Sequence, residues 1–291
     1  MSFLKPLLSS SRTKCQLPVY RAGSRFELRA VSGSLPRWIV AKDEIPVSQT
    51  NHAEHTLRRF WKTVNVTSTP TGSFLITLDH RPLKTPSGAR LEVPKERRLA
   101  AAMIANEWEN QDEVLKQHTL PVTSLASRAI DGLTSGPTRS AVIDALLNHL
   151  ETDTILYPHD SPDALVRLQK EHWNPLHAWL KREYGIELIL AEGFNAAKQN
   201  EETIEKLKEA VQEMNGWELA SFERAVYATK SFVIALALIR GELSAHQAAQ
   251  ASHVEVASQI ERWGEVEDTH DVDYQDIRKA LGSAACLLIK A

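Results

Sequence analysis

The chain has only two cysteines, Cys15 and Cys286, so neither a disulfide framework nor a cysteine-based zinc site can be built from it. Its longest apolar run, "FVIALALI" at 232–239, is bounded by Lys230 and Arg240. That falls far short of the roughly 18 residues a spanning helix needs, so membrane insertion is not expected. The twelve glycines stand singly. No G-x-x-x-x-G-K-[ST], G-x-G-x-x-G or G-x-S-x-G occurs, which removes the usual phosphate-cradling loops and nucleophile elbows. Beyond residue 42 basic residues are outnumbered by acidic ones.

Residues 1–42 hold eight Lys/Arg against a single acid, Glu27, and seven serines. Basic, serine-rich and acid-poor is the composition of an organelle transit peptide, so mitochondrial import is expected. Without these residues the basic count falls from 34 to 26 and the acidic count from 37 to 36, a net of −10. A chain this acidic lacks the clustered Lys/Arg that displace counterions from nucleic acid. It suits a basic protein partner instead.

At 291 residues one large or two modest domains are expected, with length enough for a sizeable core. Residues 43–56 have no periodicity and read as a linker. "RFWKTVNV" then alternates, with Phe60, Lys62, Val64 and Val66 on one face, and "FLITL" does the same with Phe74, Ile76 and Leu78. Between them "TSTPTG" carries Pro70 and Gly72, a hairpin turn, and a further short strand ends before Pro94.

Almost everything after Pro94 reads as helix. "KERRLAAAMIANEWENQ" places Leu99 and Met103 along its turns, with alanines permitting close approach. Later helices start at Pro137 and at Ser161-Pro162, with Ser161 as N-cap, and Pro175 breaks the second of these before Gly185. "IELIL" alternates as a short extended piece. The 201–216 segment repeats Ile204, Leu207, Val211 and Met214. "LASFERAVYATKSFVIALALIRG" is apolar on most faces, a buried central helix ending at Gly241. "SAHQ" at 244–247 has capping-box spacing and launches a helix to Trp263-Gly264, and a last helix carries Ile277, Leu281, Ala284 and Leu288. The expected class is α+β: 1–42 transit peptide, 43–56 linker, 57–133 β-rich N-terminal domain with a helix, and 134–291 helical C-terminal domain.

One stretch concentrates chemistry. "WGEVEDTHDVD" at 263–273 packs five carboxylates, a histidine and a tryptophan into eleven positions. As a calcium loop begun at Asp271 it fails, because Asp276 stands where glycine is required and Gly282 where the last acid should be. His270-Asp271 could belong to a metal-dependent phosphohydrolase of the HD type, with His253 as another ligand and Asp273 or Asp276 as the last. Such folds draw the final aspartate from a later helix, and about twenty residues remain. Acids at a helix N-terminus favour its dipole by roughly 0.3–1 kcal/mol each. That accounts for one or two of the five, so their mutual repulsion is tolerated for something else. The histidines of "EHWNPLH", His172 and His177, are five apart across a proline and miss the spacing of a zinc helix.

Seven strings in order, "RRFWKTVNV", "GSFLITLDHRPLKTPSGARLEVP", "NEWENQ", "LPVTSLASRAIDG", "ETDTILY", "SFVIALALIRGELS" and "ERWGEVEDTHDVD", together resemble the mitochondrial ATP synthase assembly chaperones for the alpha subunit. The resemblance runs over about residues 57–289. It implies a matrix chaperone without catalysis, cofactor or metal. Such a protein binds free alpha subunit transiently, shields the surface later given to beta, and is monomeric when free. It also implies a small β-rich N-terminal domain followed by a helical one. The family's acidic tract falls on Glu265, Glu267, Asp268 and Asp271, with Trp263 beside it, as partner-binding residues. The family's "EW" tryptophan falls on Trp108, next to Glu107; beside Ala101, Ala102 and Ala105, Trp108 is expected to pack between the two domains, with contact to the client as its other reading.

Overall fold

The computed structural model describes residues 58–191, 193 and 197–290, all within one compact unit. The basic segment 1–42 and the linker 43–56 lie outside the described residues. None of the described helices is long and apolar enough to cross a membrane.

The sheet is antiparallel throughout and centred on β2 (Phe74–Leu78). β1 (Val64–Ser68) pairs with it from Val64 opposite Leu78 to Ser68 opposite Phe74. On the other edge β3 (Arg81–Pro82) and β4 (Glu92–Val93) share β2 between them. The turn between β1 and β2 closes as the Pro70/Gly72 signal predicts, with Gly72 at φ 86 and its N–H donating to Thr69 O at 2.9 Å. The alternation read from residue 60 does not set which residues are buried. Phe60 is 62% exposed while its neighbour Trp61 is buried, because regular pairing begins only at Val64.

Eleven α-helices follow among the described residues: α1 (Arg98–Glu109), α2 (Pro121–Gly132), α3 (Pro137–Leu147), α4 (Asp163–His172), α5 (Asn174–Tyr184), α6 (Glu201–Gln212), α7 (Gly216–Thr229), α8 (Phe232–Arg240), α9 (Ala245–Ser252), α10 (Val254–Trp263) and α11 (His270–Leu288). The mixed α+β class expected from sequence is the class observed. Several boundaries differ, each for a physical reason. α1 begins at Arg98 and buries Ala100, Ala101 and Ile104, leaving Leu99 exposed, since the small side chains let its backbone approach the sheet. The central apolar helix is two helices. Lys230 adopts a left-handed conformation (φ 55), and Ser231 Oγ then accepts from Ile234 N at 3.0 Å to start α8. The segment from 244 is likewise interrupted at His253, after the Ser244/Gln247 capping box has begun α9. α4 starts at Asp163 behind Pro162, so Ser161 is not its cap, and "IELIL" joins no strand.

Two apolar clusters result. One gathers Trp61, Ile76, Leu91, Val93, Ile104 and Leu125 around the sheet. The larger is built from α3 to α11 around Leu146, Trp173, Phe222 and the buried face of α8. Two helices give buried residues to both, and Trp217 of α7 packs against both from the side. α2 gives Val122, Leu125 and Ala126 to the first and Ala129 to the second, and α11 gives Ala284 and Leu287 to the first and Ile277 and Leu281 to the second. Gly216 makes the tightest crossing. A Cβ there would meet Ala129 O at 3.0 Å and Leu133 O at 3.2 Å, so a larger residue at this position would push α7 away from the α2 backbone by a few tenths of an ångström.

Arg97 ties the two halves. It is 2% exposed, donates to the backbone carbonyl of Leu287 at the end of α11, and lies 3.9 Å from Glu218 and 5.8 Å from the Trp217 ring. Arg97→Ala orphans a buried carbonyl and removes a packed stem, so it should cost about 3 kcal/mol in urea unfolding and raise hydrogen exchange at 284–288. An unchanged midpoint would remove this role.

Asp153, fully buried, serves two helix starts at once. Its Oδ1 accepts from Ile155 N at 3.2 Å and its Oδ2 from Val233 N at 3.0 Å in the first turn of α8. Burial pushes its carboxyl up to about 6, against the hydrogen bonds that favour the ion. An unfolded aspartate titrates near 3.9, so between those values the folded chain holds the extra proton. This contribution to stability is full below about pH 4 and is lost as the pH rises to about 6. Against the non-titrating Asp153→Asn, the wild type's stability advantage should shrink by on the order of 2–3 kcal/mol between pH 4 and pH 7. An advantage that widens with pH would mean the carboxylate is held ionised.

Candidate functional site

The residues singled out by sequence fall at two separate places. Glu107 and Trp108 lie on the last turn of α1, facing the start of α2. The helix α2 opens at Pro121 behind Leu120, which offers no capping oxygen. Glu107 supplies one from a distance. Its Oε1 accepts from Val122 N at 2.7 Å, and its Oε2 from Thr123 N at 2.8 Å and Thr123 Oγ1 at 2.6 Å. A carboxylate on free N–H groups at a helix N-terminus is favourable to both. Burial nevertheless raises its pKa, opposed by these bonds and by Lys279.

Trp108 completes the cluster. Its Nε1 donates to Thr123 Oγ1 at 3.1 Å, its backbone oxygen accepts from Trp61 Nε1 at 3.3 Å, and its ring lies 5.1 Å from that of Trp61. Thr123 and Trp61 are thus structural partners of the pair that sequence reasoning did not name. The available signal was a helix beginning at Pro121 without a polar residue before it.

The acidic tract lies at the far end of α11. Its 19 residues span about 28 Å at 1.5 Å each, with Asp271 and Asp273 in the first turn and Leu287 in the last. Glu265, Glu267 and Asp268 occupy the loop between α10 and α11, and Asp271 follows in the helix, all exposed. Gly264 (φ 87) ends α10, and Asp268 is left-handed (φ 62). His270 holds the loop in shape, its Nδ1 accepting from Val266 N at 3.0 Å. Among the described residues none of these four carboxylates is in an ion pair. They alternate with exposed apolar groups: Trp263 at 71%, Val266 at 57% and Val272 at 58%. Arg262 lies 5.2 Å from the Trp263 ring.

The hydrolase reading finds no support here. Among the described residues no three His, Cys, Asp or Glu converge on a metal position. His270 is engaged with Val266, and Asp271 Oδ1 accepts from Val272 N at 2.8 Å. His253 Nε2 is 3.2 Å from Asp273 Oδ2. Burial, with Arg278 and Lys230 nearby, holds that imidazole below its usual pKa although Asp273 opposes this.

A model of the ATP12 chaperone protein family matches residues 58–181. The protein named atp12, mitochondrial, of Schizosaccharomyces pombe is 39% identical over 240 residues, covering 79% of this chain and 81% of that one. ATP12, mitochondrial, of Saccharomyces cerevisiae is 28% identical over 283 residues, covering 84% and 87%. The crystal structure of Atp12 from Paracoccus denitrificans superposes with a TM-score of 0.69 at 31% identity, over 81% of this chain and 98% of that one.

The two places should respond differently to substitution. Glu107→Ala strips the start of α2 of its acceptor and should cost about 2 kcal/mol in urea unfolding. Glu265→Ala and Glu267→Ala should leave the midpoint where it is. Equal losses at all three would remove the distinction.

Proposed function

The chain is a mitochondrial member of the ATP12 chaperone family, and we propose that it acts in the matrix by binding the free alpha subunit of the ATP synthase while the catalytic head assembles. It catalyses nothing in this role and requires no nucleotide or metal. It binds as a monomer and lets go when alpha takes its place in the head.

The observation that carries this reading is the exposed stretch 263–272, where four carboxylates lack cationic partners among the described residues and apolar side chains stand between them. An orphan subunit presents an apolar interface prone to aggregate. A holder needs apolar groups to cover it and charges to set register and exclude wrong partners. Trp263, Val266 and Val272 supply the first, and Glu265, Glu267, Asp268 and Asp271 supply the second by accepting from lysine or arginine on alpha. Exposed charges of one sign also speed encounter with a basic partner, an effect that salt weakens. Glu107 and Trp108 act at a remove in this account, holding α1 to α2 so that the frame beneath the tract stays rigid.

Expressed without residues 1–42, the protein should keep isolated alpha subunit soluble in the absence of nucleotide, measured by light scattering. If alpha aggregates equally with and without it, the reading is wrong. Glu267→Lys should weaken the effect far more than Glu205→Lys on the exposed face of α6. Equal effects would dismiss the acidic tract as the contact.

A further inference from the structure

Beside the acidic tract a groove of about 430 Å³ opens between α4, α9, α10 and the start of α11. Leu168, Ala249, Ala257 and Ile260 give it an apolar lining, and the two alanines keep it open where larger side chains would fill it. Its polar groups are unequally committed. On one side the Arg278 guanidinium sits 3.1 Å from the Tyr274 ring centroid and 3.2 Å from His246 Nδ1, so its charge is already placed. On the other, Glu261 is held by Arg167 at 2.6 Å, while Glu265 has no cationic partner among the described residues. His172, His253 and His270 complete the rim.

We infer that this groove is the anchoring pocket for the client of the acidic tract, taking one apolar side chain flanked by a lysine or arginine. This deepens the function proposed above and rests on it. The apolar side chain lies against Ala257 and Ile260, and its neighbouring cation reaches Glu265 and then the carboxylates of the loop. Charge decides the occupant. A second copy of this chain would bring a body with a net charge of −10 beyond residue 42 against a carboxylate rim, and a nucleic acid would bring phosphates. An apolar segment without a cation would leave Glu265 uncompensated as it was desolvated. The groove thus adds to the tract what charge alone cannot supply, a desolvated anchor of the kind that dominates binding energy.

The test uses the chain from residue 43 onward with isolated ATP synthase alpha subunit. Ala257→Trp fills the groove from a half-buried position. It should weaken alpha binding by about tenfold or more while leaving the unfolding midpoint unchanged. Hydrogen exchange on the wild type, which does not depend on any variant folding, should show protection at 246–260 when alpha is added. If alpha binds the wild type, Ala257→Trp binds equally well and 246–260 gains no protection, the groove is not the anchor, although the proposed function stands. If the wild type holds no alpha at all, both fall together.

Discussion

A buried arginine holds the molecule in one piece. Arg97 stands just before α1, and its guanidinium meets the end of α11 at the Leu287 carbonyl and the start of α7 at Glu218 and Trp217. Burial disfavours its charge, and Glu218 opposes that loss, with Lys290 also 3.4 Å from the same carboxylate oxygen. A charge so enclosed is tolerated only where its donors are met, so the position of α11 is dictated to within a hydrogen bond. Because α11 runs from this point to the acidic tract, whatever places its C-terminal end also places its N-terminal end.

The same economy recurs at the helix starts. α2 and α8 receive acceptors from Glu107 and Asp153, one on another helix and one before a short 3-10 turn, so each bond stabilises a helix start and fixes a tertiary contact. These carboxylates are satisfied and withdrawn from water. The carboxylates of the tract are neither. A chain able to satisfy its acids internally has left these four to solvent, beside an exposed tryptophan and an apolar groove. That contrast, more than the number of acids, is what supports the proposed contact surface.

Much of the architecture was legible because apolar spacing follows element period. The Pro70/Gly72 turn, the Ser244/Gln247 capping box and the stripe of Leu207, Val211 and Met214 all appear where their local chemistry places them. What misled was continuity. The run from 219 to 241 is apolar enough for one helix, yet Lys230 turns left-handed because Asp153 and Ser231 together cap a new start at α8. In α1 the expected Leu99 and Met103 positions give way to Ala100, Ala101 and Ile104 as the buried face, since the nearness of the sheet rewards small side chains.

The sequence by itself determined the α+β class, the excess of acids after residue 42, the lack of glycine-rich phosphate-loop motifs and of a cysteine framework, and the concentration of carboxylates at 263–273. Each of these depends on residue type, local period or the family resemblance. Only the tertiary structure decided that Glu107 caps α2, that Asp153 serves two helix starts, that Arg97 reaches Leu287, and that a groove lies open beside Glu265. Apart from the local bond of Asp153 to Ile155, those hydrogen bonds join residues separated by 15 to 190 positions, and no local period encodes which distant partner a buried carboxylate or guanidinium will meet.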